Sequence, residues 1–331
     1  MHKWLQPKQD EEANHLLSYI NNQIEEQNSV TEGGLINIQI VSQQFCGHVI
    51  RNMIFGTRFF GEGTGEEETE HVSALFIILK NLNAFCISDY FPWMRGKTDF
   101  DGHEKIIRTA IERVQKYHDP LIDERIRMWN DGDRMQEKDL LDILIKHDSP
   151  KLTPEEIKAQ ILELMIATVD NPSNAVEWVM GEMISEPMIL KRAIDELDKV
   201  VGRNRLVEEL DLPQLNYTKA CIKESFRLHP FAPFNVPHVS VKNVVVAGYF
   251  ITKGSHVLIS RLGLGRNPDV WKDPMRFDPD RHLCEEGKQV ILTDNGLRML
   301  SFSTGKRGCH GVILVSTITT MLLARVIQGF A

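Results

Sequence analysis

Residues 301–311, Ser301-Phe302-Ser303-Thr304-Gly305-Lys306-Arg307-Gly308-Cys309-His310-Gly311, form a glycine-punctuated loop that delivers one cysteine to the start of an apolar stretch. Gly305 and Gly308 let the backbone take left-handed or tightly turned conformations and approach a flat ligand closely, and Gly311 removes a side chain where the following helix must lie. Cys309 then sits near a helix N-terminus beside Lys306 and Arg307. Unpaired amides, the helix dipole and two cations all favour thiolate over thiol there. A thiolate so held is a ligand for a soft metal or a nucleophile. A nucleophile would also need a partner His with Asn or Asp, which the linear sequence does not place.

The rest of the composition narrows the partners. The chain has 331 residues, enough for two ordinary domains or one large one, and 42% hydrophobic residues supply a core. Its formal net charge is -8, with no block of Lys and Arg of the kind that binds nucleic acid, so no nucleic-acid partner is expected. Five cysteines, Cys46, Cys86, Cys221, Cys284 and Cys309, are odd in number and form no Cys-x-x-Cys pair. Neither a disulfide framework nor a zinc knuckle follows, and a reducing, cytosol-facing compartment does. The opening residues run from Met1-His2-Lys3-Trp4 into acidic, helix-forming sequence with no apolar leader or anchor. The longest apolar stretch is 312–330, and its interruption by Ser316, Thr317, Thr319, Thr320, Arg325 and Gln328 fits a buried helix better than a membrane span.

Apolar periodicity predicts helices near 9–27, 35–58, 66–87, 102–129, 138–146 and 153–185. Turn chemistry separates them at Gly33-Gly34, at Gly61-Glu62-Gly63-Thr64-Gly65, at Tyr90-Phe91-Pro92 and at Asn130-Asp131-Gly132-Asp133. Thr153-Pro154-Glu155-Glu156 is a helix start, with a capping threonine and a first-turn proline. Between 235 and 260 the pattern changes to short β-type runs, Val244-Val245-Val246 and His256-Val257-Leu258-Ile259. The expected fold class is mainly α with a small β-sheet.

Two further stretches carry polar residues in telling places. In the helix from Thr153, Pro172 follows Thr168, Asp170 and Asn171. A proline that deep removes a backbone hydrogen bond and opens a groove where polar side chains can face a ligand. On the helix after Pro213, Glu224 and Arg227 stand three apart on one face. Alone, such a pair is usually a surface contact of small energy.

The spacing Phe-x-x-Gly-x-Arg-x-Cys-x-Gly from Phe302 to Gly311 resembles the haem loop of the cytochromes P-450, whose cysteine thiolate is the proximal iron ligand. Glu224-Ser225-Phe226-Arg227 followed by Phe277-Asp278-Pro279-Asp280-Arg281-His282 resembles that family's Glu-x-x-Arg motif and its loop arginine. Ala167-Thr168-Val169-Asp170-Asn171-Pro172 falls where the family's long central helix crosses the distal haem face, with Asn171-Pro172 in place of the usual threonine and its neighbour. That replacement is similar to the plant amino-acid N-monooxygenases, which form aldoximes. Lys116-Tyr117-His118-Asp119-Pro120, Phe234-Asn235-Val236-Pro237-His238-Val239 and Leu262-Gly263-Leu264-Gly265-Arg266-Asn267-Pro268 look like the same group.

The resemblance implies a partial P-450 domain over 1–331, helical to about 230, with the sheet, haem loop and final helix after it. It implies haem b with Cys309 as axial ligand, and Phe302, Gly305, Arg307, Gly311 and His238 in the cofactor cradle, Arg307 and His238 toward the propionates. Asp170 and Asn171 would arrange protons and water, Thr168 would line the pocket, and Glu224, Arg227 and Arg281 would form a buried structural network. Electrons would come from NADPH through NADPH-cytochrome P-450 reductase, docking near Lys306 and Arg307, with O2 as co-substrate. The implied reaction is two N-hydroxylations of an L-amino acid, then dehydration and loss of CO2 to the aldoxime, in defence metabolism such as glucosinolate or cyanogenic glucoside formation. The implied location is the cytosolic face of the endoplasmic reticulum membrane, through an N-terminal anchor this chain lacks.

Against the family pattern, the anchor, the first helices and the last strands are missing, so a fragment is expected. Thr168 replaces a small residue, His310 follows the cysteine, and Val315 stands where Gly or Ala usually packs, which predicts overpacking. Two other readings remain: a carbon-hydroxylating P-450 acting on a terpenoid or phenol, and an inactive truncated remnant.

Overall fold

The computed structural model describes residues 6–28, 35–58, 66–82, 84–94, 96, 99–283, 288–294 and 296–330. The predicted turns at Gly33-Gly34 and 61–65, and Cys284, lie outside the described residues. The chain divides into two compact units, Met1–Ser173 and Asn174–Ala331.

The first unit is helical: α1 (Gln6–Asn28), α2 (Ile38–Phe55), α3 (Glu66–Leu82), the single turn α4 (Ile87–Tyr90), α5 (His103–Asp131), α6 (Leu140–Lys146) and the first part of α7 (Pro154–Ser185). Local chemistry sets several ends. Asn37 accepts hydrogen bonds from the amides of Gln39 and Ile40 to cap α2, which stops at Gly56 with φ +70°. Thr153 and Glu156 make the reciprocal bonds of a capping box ahead of α7. Ile50 and Ile54 of α2, Leu75 and Ile78 of α3, Val114 and Ile122 of α5, Leu141 of α6, and Ile161 and Met165 of α7 form one buried cluster. α3, α5 and α7 bury these residues at three- and four-residue spacings along one stripe, whereas α2 is buried on every side from Phe45 to Phe55. Where a long helix was expected over 66–87, α3 stops at Leu82 and a separate turn follows at Ile87.

The second unit continues α7 and adds α8 (Pro187–Val200), α9 (Asn216–Leu228), four short strands, α10 (Arg261–Gly265) and α11 (Val312–Phe330). β1 (His238–Val239) pairs antiparallel with β4 (His256–Val257), and β2 (Val244–Val246) with β3 (Tyr249–Ile251) through a tight turn at Ala247-Gly248, both at positive φ. α11 is long and apolar enough to cross a membrane by length and composition, yet its residues from Ile318 to Ile327 are all buried within the protein. Its hydroxyl residues are satisfied locally, as Thr319 and Thr320 donate to the carbonyls of Val315 and Ser316 at 2.7 Å, whereas Gln328 accepts from the Val207 amide and donates to Arg205 O.

Candidate haem-thiolate site

The cysteine loop is held by its own backbone. Ser303 and Gly305 adopt positive φ (58° and 66°), a 3-10 turn runs over Gly305–Arg307, and the Gly308 amide returns to Gly305 O at 3.0 Å. A Cβ at Gly308 would lie 3.2 Å from that same carbonyl, so the turn leaves little room for one. The Cys309 amide then donates to Phe302 O at 2.8 Å and closes the loop, while the Phe302 ring packs edge-on against Phe226 of α9, centroids 5.5 Å apart. The result is a cysteine displayed at the surface. Cys309 is exposed, whereas Cys46, Cys86 and Cys221 are buried.

Gly311 behaves differently from its expected role. A Cβ there would meet Val315 Cγ2 at 3.8 Å and Cys309 Sγ at 3.9 Å, ordinary contacts, so helix packing alone does not demand glycine. Its bare Cα instead keeps one flank of the Cys309 sulfur open. Val315 is half-buried, and the overpacking expected of it is absent at this contact. Lys306, Arg307, His310 and His238 are all exposed, His238 opposite Val257 in the β1–β4 pair.

Glu224 and Arg227 are fully buried and face to face: Arg227 donates to the two carboxylate oxygens at 2.8 and 2.7 Å. Arg227 also donates to the carbonyls of Gly265 (2.6 Å), Pro274 (2.6 Å) and Arg276 (3.0 Å). Arg281 reaches Glu224 more distantly, at 3.3 Å, and spends its other nitrogens on the carbonyls of Lys272 and Asp273. Burial would raise the Glu224 carboxyl, but the hydrogen bonds from Arg227 and His282 prevail and pull it down to about 2.

Two members of this network escaped the sequence. His282 donates to Glu224 at 2.8 Å from a side chain with no exposure, and Gly265 passes so close to α9 that a Cβ would fall 2.2 Å from Arg227 O. Both stood inside quoted motifs, His282 next to Arg281 and Gly265 before Arg266. A histidine after a motif arginine and a glycine in a short helix carry no charge pattern or period that marks them.

In the first unit, α7 runs unbroken through Pro172. The carbonyls on either side of Thr168 are taken by side chains: Asn171 Nδ2 donates to Ala167 O at 3.1 Å, and Ser173 Oγ donates to Val169 O. Asn171 thus turns back onto the helix, where the sequence predicted polar groups facing a groove. Thr168 is buried, Asp170 and Asn171 half-buried. Buried Cys46 of α2 adjoins Ser173, and burial pushes its thiol up to about 12.

No group of three or more His, Cys, Asp or Glu side chains comes together to hold a metal ion among the described residues. A lone exposed thiol cannot complete a bare ion's coordination shell, but it fits a metal that brings its own equatorial ligands. An open sulfur flank, a loop of small residues and nearby cations suit a flat anionic metal complex. A mostly helical chain with such a thiol and a buried Glu–Arg–His clasp has the layout of the haem-thiolate class. The Cytochrome P450 family matches residues 3–331, and the chain belongs to that family. It is 51% identical to valine N-monooxygenase 1 of Manihot esculenta, over 99% of this chain and 61% of that protein. It is 52% identical to phenylalanine N-monooxygenase of Arabidopsis thaliana (98% and 62%) and 49% identical to tyrosine N-monooxygenase of Sorghum bicolor (99% and 60%). The chain therefore spans about three-fifths of the length of these relatives.

Proposed function

We propose that this chain is part of a haem-thiolate monooxygenase that N-hydroxylates an L-amino acid and carries it to the aldoxime. The observation that carries the reading is the agreement of its relatives: proteins named for valine, phenylalanine, tyrosine and tryptophan all match at about half identity over nearly the whole chain. They share N-monooxygenation and differ in the amino acid, so the reaction is the common element.

Haem bound through Cys309 would supply oxygen activation, with electrons delivered by an NADPH-dependent reductase. The protein's own part is positional. Phe302 and Gly305 fix the loop that presents the Cys309 sulfur, and Gly311 leaves that sulfur accessible. Arg307 and His238 are exposed cationic or hydrogen-bonding groups available to the porphyrin's carboxylates, and Lys306 with Arg307 offers positive charge to an acidic reductase face. On α7, Asp170 and Asn171 would hold water and relay protons, with Thr168 restricting the space beside them. Glu224, Arg227, Arg281 and His282 serve as a structural clasp. The membrane of the endoplasmic reticulum, cytosolic side, is the location in keeping with such a partner.

The test is the reduced, carbon-monoxide difference spectrum of the chain expressed with haem, followed by product analysis with L-amino acids. A red-shifted thiolate-type Soret band and aldoxime formation are expected, and Cys309→Ser should abolish the band. A Cys309→Ser protein that keeps it sinks the assignment, and carbon-hydroxylated products would replace N-hydroxylation.

A further inference from the structure

The chain that approaches Cys309 is laid along one side of α9. The Val290 amide donates to Asn216 Oδ1 at 2.8 Å, and Lys223 Nζ donates to Thr293 O at 2.7 Å. The Phe226 ring then meets the Phe302 ring edge-on, with centroids 5.5 Å and planes 88° apart. Residues 216, 223 and 226 share one face of a helix with 3.6 residues per turn, and their partners 290, 293 and 302 follow in the same order. The rung of this ladder nearest the cysteine is an aromatic pair.

The buried ionic clasp does not extend to the loop. Among the described residues, the bonds of Glu224 and Arg227 are spent on Gly265, Pro274, Arg276, Asp278, Arg281 and His282, and none goes to 301–311. On the far side of Cys309 the first turns of α11 are half-buried or exposed, and full burial begins only at Ile318. On the near side the hold is direct, because the Phe302 carbonyl accepts the Cys309 amide at 2.8 Å. One residue thus carries both the ring that touches α9 and the carbonyl that fixes the cysteine. Phe226 in turn stands between Glu224 and Arg227, whose side chains have no exposed surface, so its backbone is held by the clasp. An edge-to-face ring pair has a preferred geometry, and an aromatic side chain with two χ angles passes a displacement of its ring to its own backbone.

We propose that Phe226 is a positioning residue for the Cys309 sulfur: it carries the fixed frame of the Glu224–Arg227 clasp, through the Phe302 ring, to the carbonyl that holds the Cys309 amide. The inference rests on the haem-thiolate reading of Cys309 and adds a residue of α9 to those of the loop itself. Phe226 acts through Phe302 and touches no reacting atom.

The experiment compares the haem-loaded chain with Phe226→Leu, Phe226→Tyr, Phe302→Leu and the double variant Phe226→Leu/Phe302→Leu. Leu228→Val, at a buried position on the opposite side of α9, controls for a plain loss of stability, which urea melts measure in every protein. The readouts are hydrogen exchange at the Cys309 amide and the rate at which the thiolate-type Soret band decays. An aromatic pair of this kind corresponds to a roughly twofold to tenfold change. Phe226→Leu should speed both processes by that factor beyond Leu228→Val, and Phe226→Tyr, which keeps the ring, should match the unsubstituted chain. The double variant should equal Phe302→Leu, because the two rings act in series. If Phe226→Leu does not fold, Phe226→Met, of similar bulk, takes its place with the same expectation. An unsubstituted chain with no thiolate-type band overturns the reading of Cys309 and this proposal with it. A normal band with Phe226→Leu no faster than Leu228→Val in either readout overturns the role of Phe226 alone, and so does a double variant whose effects are the sum of the two singles.

Discussion

His282 Nε2 lies 2.8 Å from Glu224 Oε2, with both side chains fully shielded from solvent. The histidine, not Arg281 at 3.3 Å, is the closest companion of the Glu224–Arg227 pair from the 279–282 turn. Together with the Asp278 amide, at 2.9 Å from Glu224 Oε1, it ties that turn to α9. The turn and the helix are thus fastened through one carboxylate.

Removing that carboxylate should be severe. Glu224→Gln strands the Arg227 guanidinium in the interior, and losing one member of a buried pair costs about 3–5 kcal/mol. The folded pKa of about 2 lies below the ordinary 4.5, so the stability from ionised Glu224 is fully present above 4.5 and is lost as pH falls from there toward 2. Urea melts across pH 2–6 should show this loss in the unsubstituted chain and its absence in Glu224→Gln. Parallel curves would mean that Glu224 does not govern the acid limb.

A second acid limb begins higher. His71 and His118, their Nε2 atoms 2.8 Å apart, are buried in the α3–α5 contact. Burial drives the His118 pKa down to about 3 and that of His71 well below its usual 6.5. Both are held neutral, so stability is complete above 6.5 and declines as pH drops below it, by about 1.4 kcal/mol per pH unit for each such histidine. His118→Gln should lessen the fall in melting temperature between pH 6.5 and 4, leaving the share that belongs to His71. An unchanged slope would show that these histidines charge freely in the folded protein.

Gly265 and Gly181 make a matched pair of opposite sign. A Cβ at 265 would meet Arg227 O at 2.2 Å, a clash with backbone that no rotamer relieves. Gly265→Ala should cost about 3 kcal/mol or more and loosen Arg227. At Gly181, inside α7, an added Cβ meets nothing within 4 Å, so Gly181→Ala should stabilise by about 0.5–1 kcal/mol through helix propensity. Denaturant midpoints read both, and equal effects would contradict the geometry.

Thiol labelling separates the cysteines. Cys309 is exposed, while burial raises the thiols of Cys46 and Cys221 and hides both. In the haem-free chain carrying Cys284→Ser, a maleimide should modify Cys309 in the native state, and a further Cys309→Ser should remove that fast phase. Cys46, Cys86 and Cys221 should react only in denaturant. Fast labelling of Cys46 would contradict its burial under α7.

What the sequence disclosed follows from the range of the interactions involved. Helices α3, α5 and α7 were legible because each buries one stripe, and α11 because of its long apolar run, whose hydroxyl residues bond back onto their own helix. The clasp was half legible: Glu224 and Arg227 are one turn apart, whereas His282 meets them from 58 residues away. Gly265 was illegible as a constraint because the clash that demands it belongs to α9.

Pro172 joins local structure to the proposed chemistry. It brings no amide for the carbonyl of Thr168, while Asn171 and Ser173 side chains occupy the neighbouring carbonyls of Ala167 and Val169. The helix therefore stays continuous past one missing backbone bond, with side chains bonded to the carbonyls on either side, beside Asp170. Such an irregularity costs stability, about 3 kcal/mol for proline in a helix interior. Pro172→Ala restores the amide and should raise the melting temperature. If the irregular turn holds water or a proton relay, the same substitution should lower aldoxime formation while leaving the thiolate-type band intact. A gain in stability with unaltered turnover would show the proline to be a tolerated flaw in α7, and the search for the proton path would move to Thr168 and Asp170 alone.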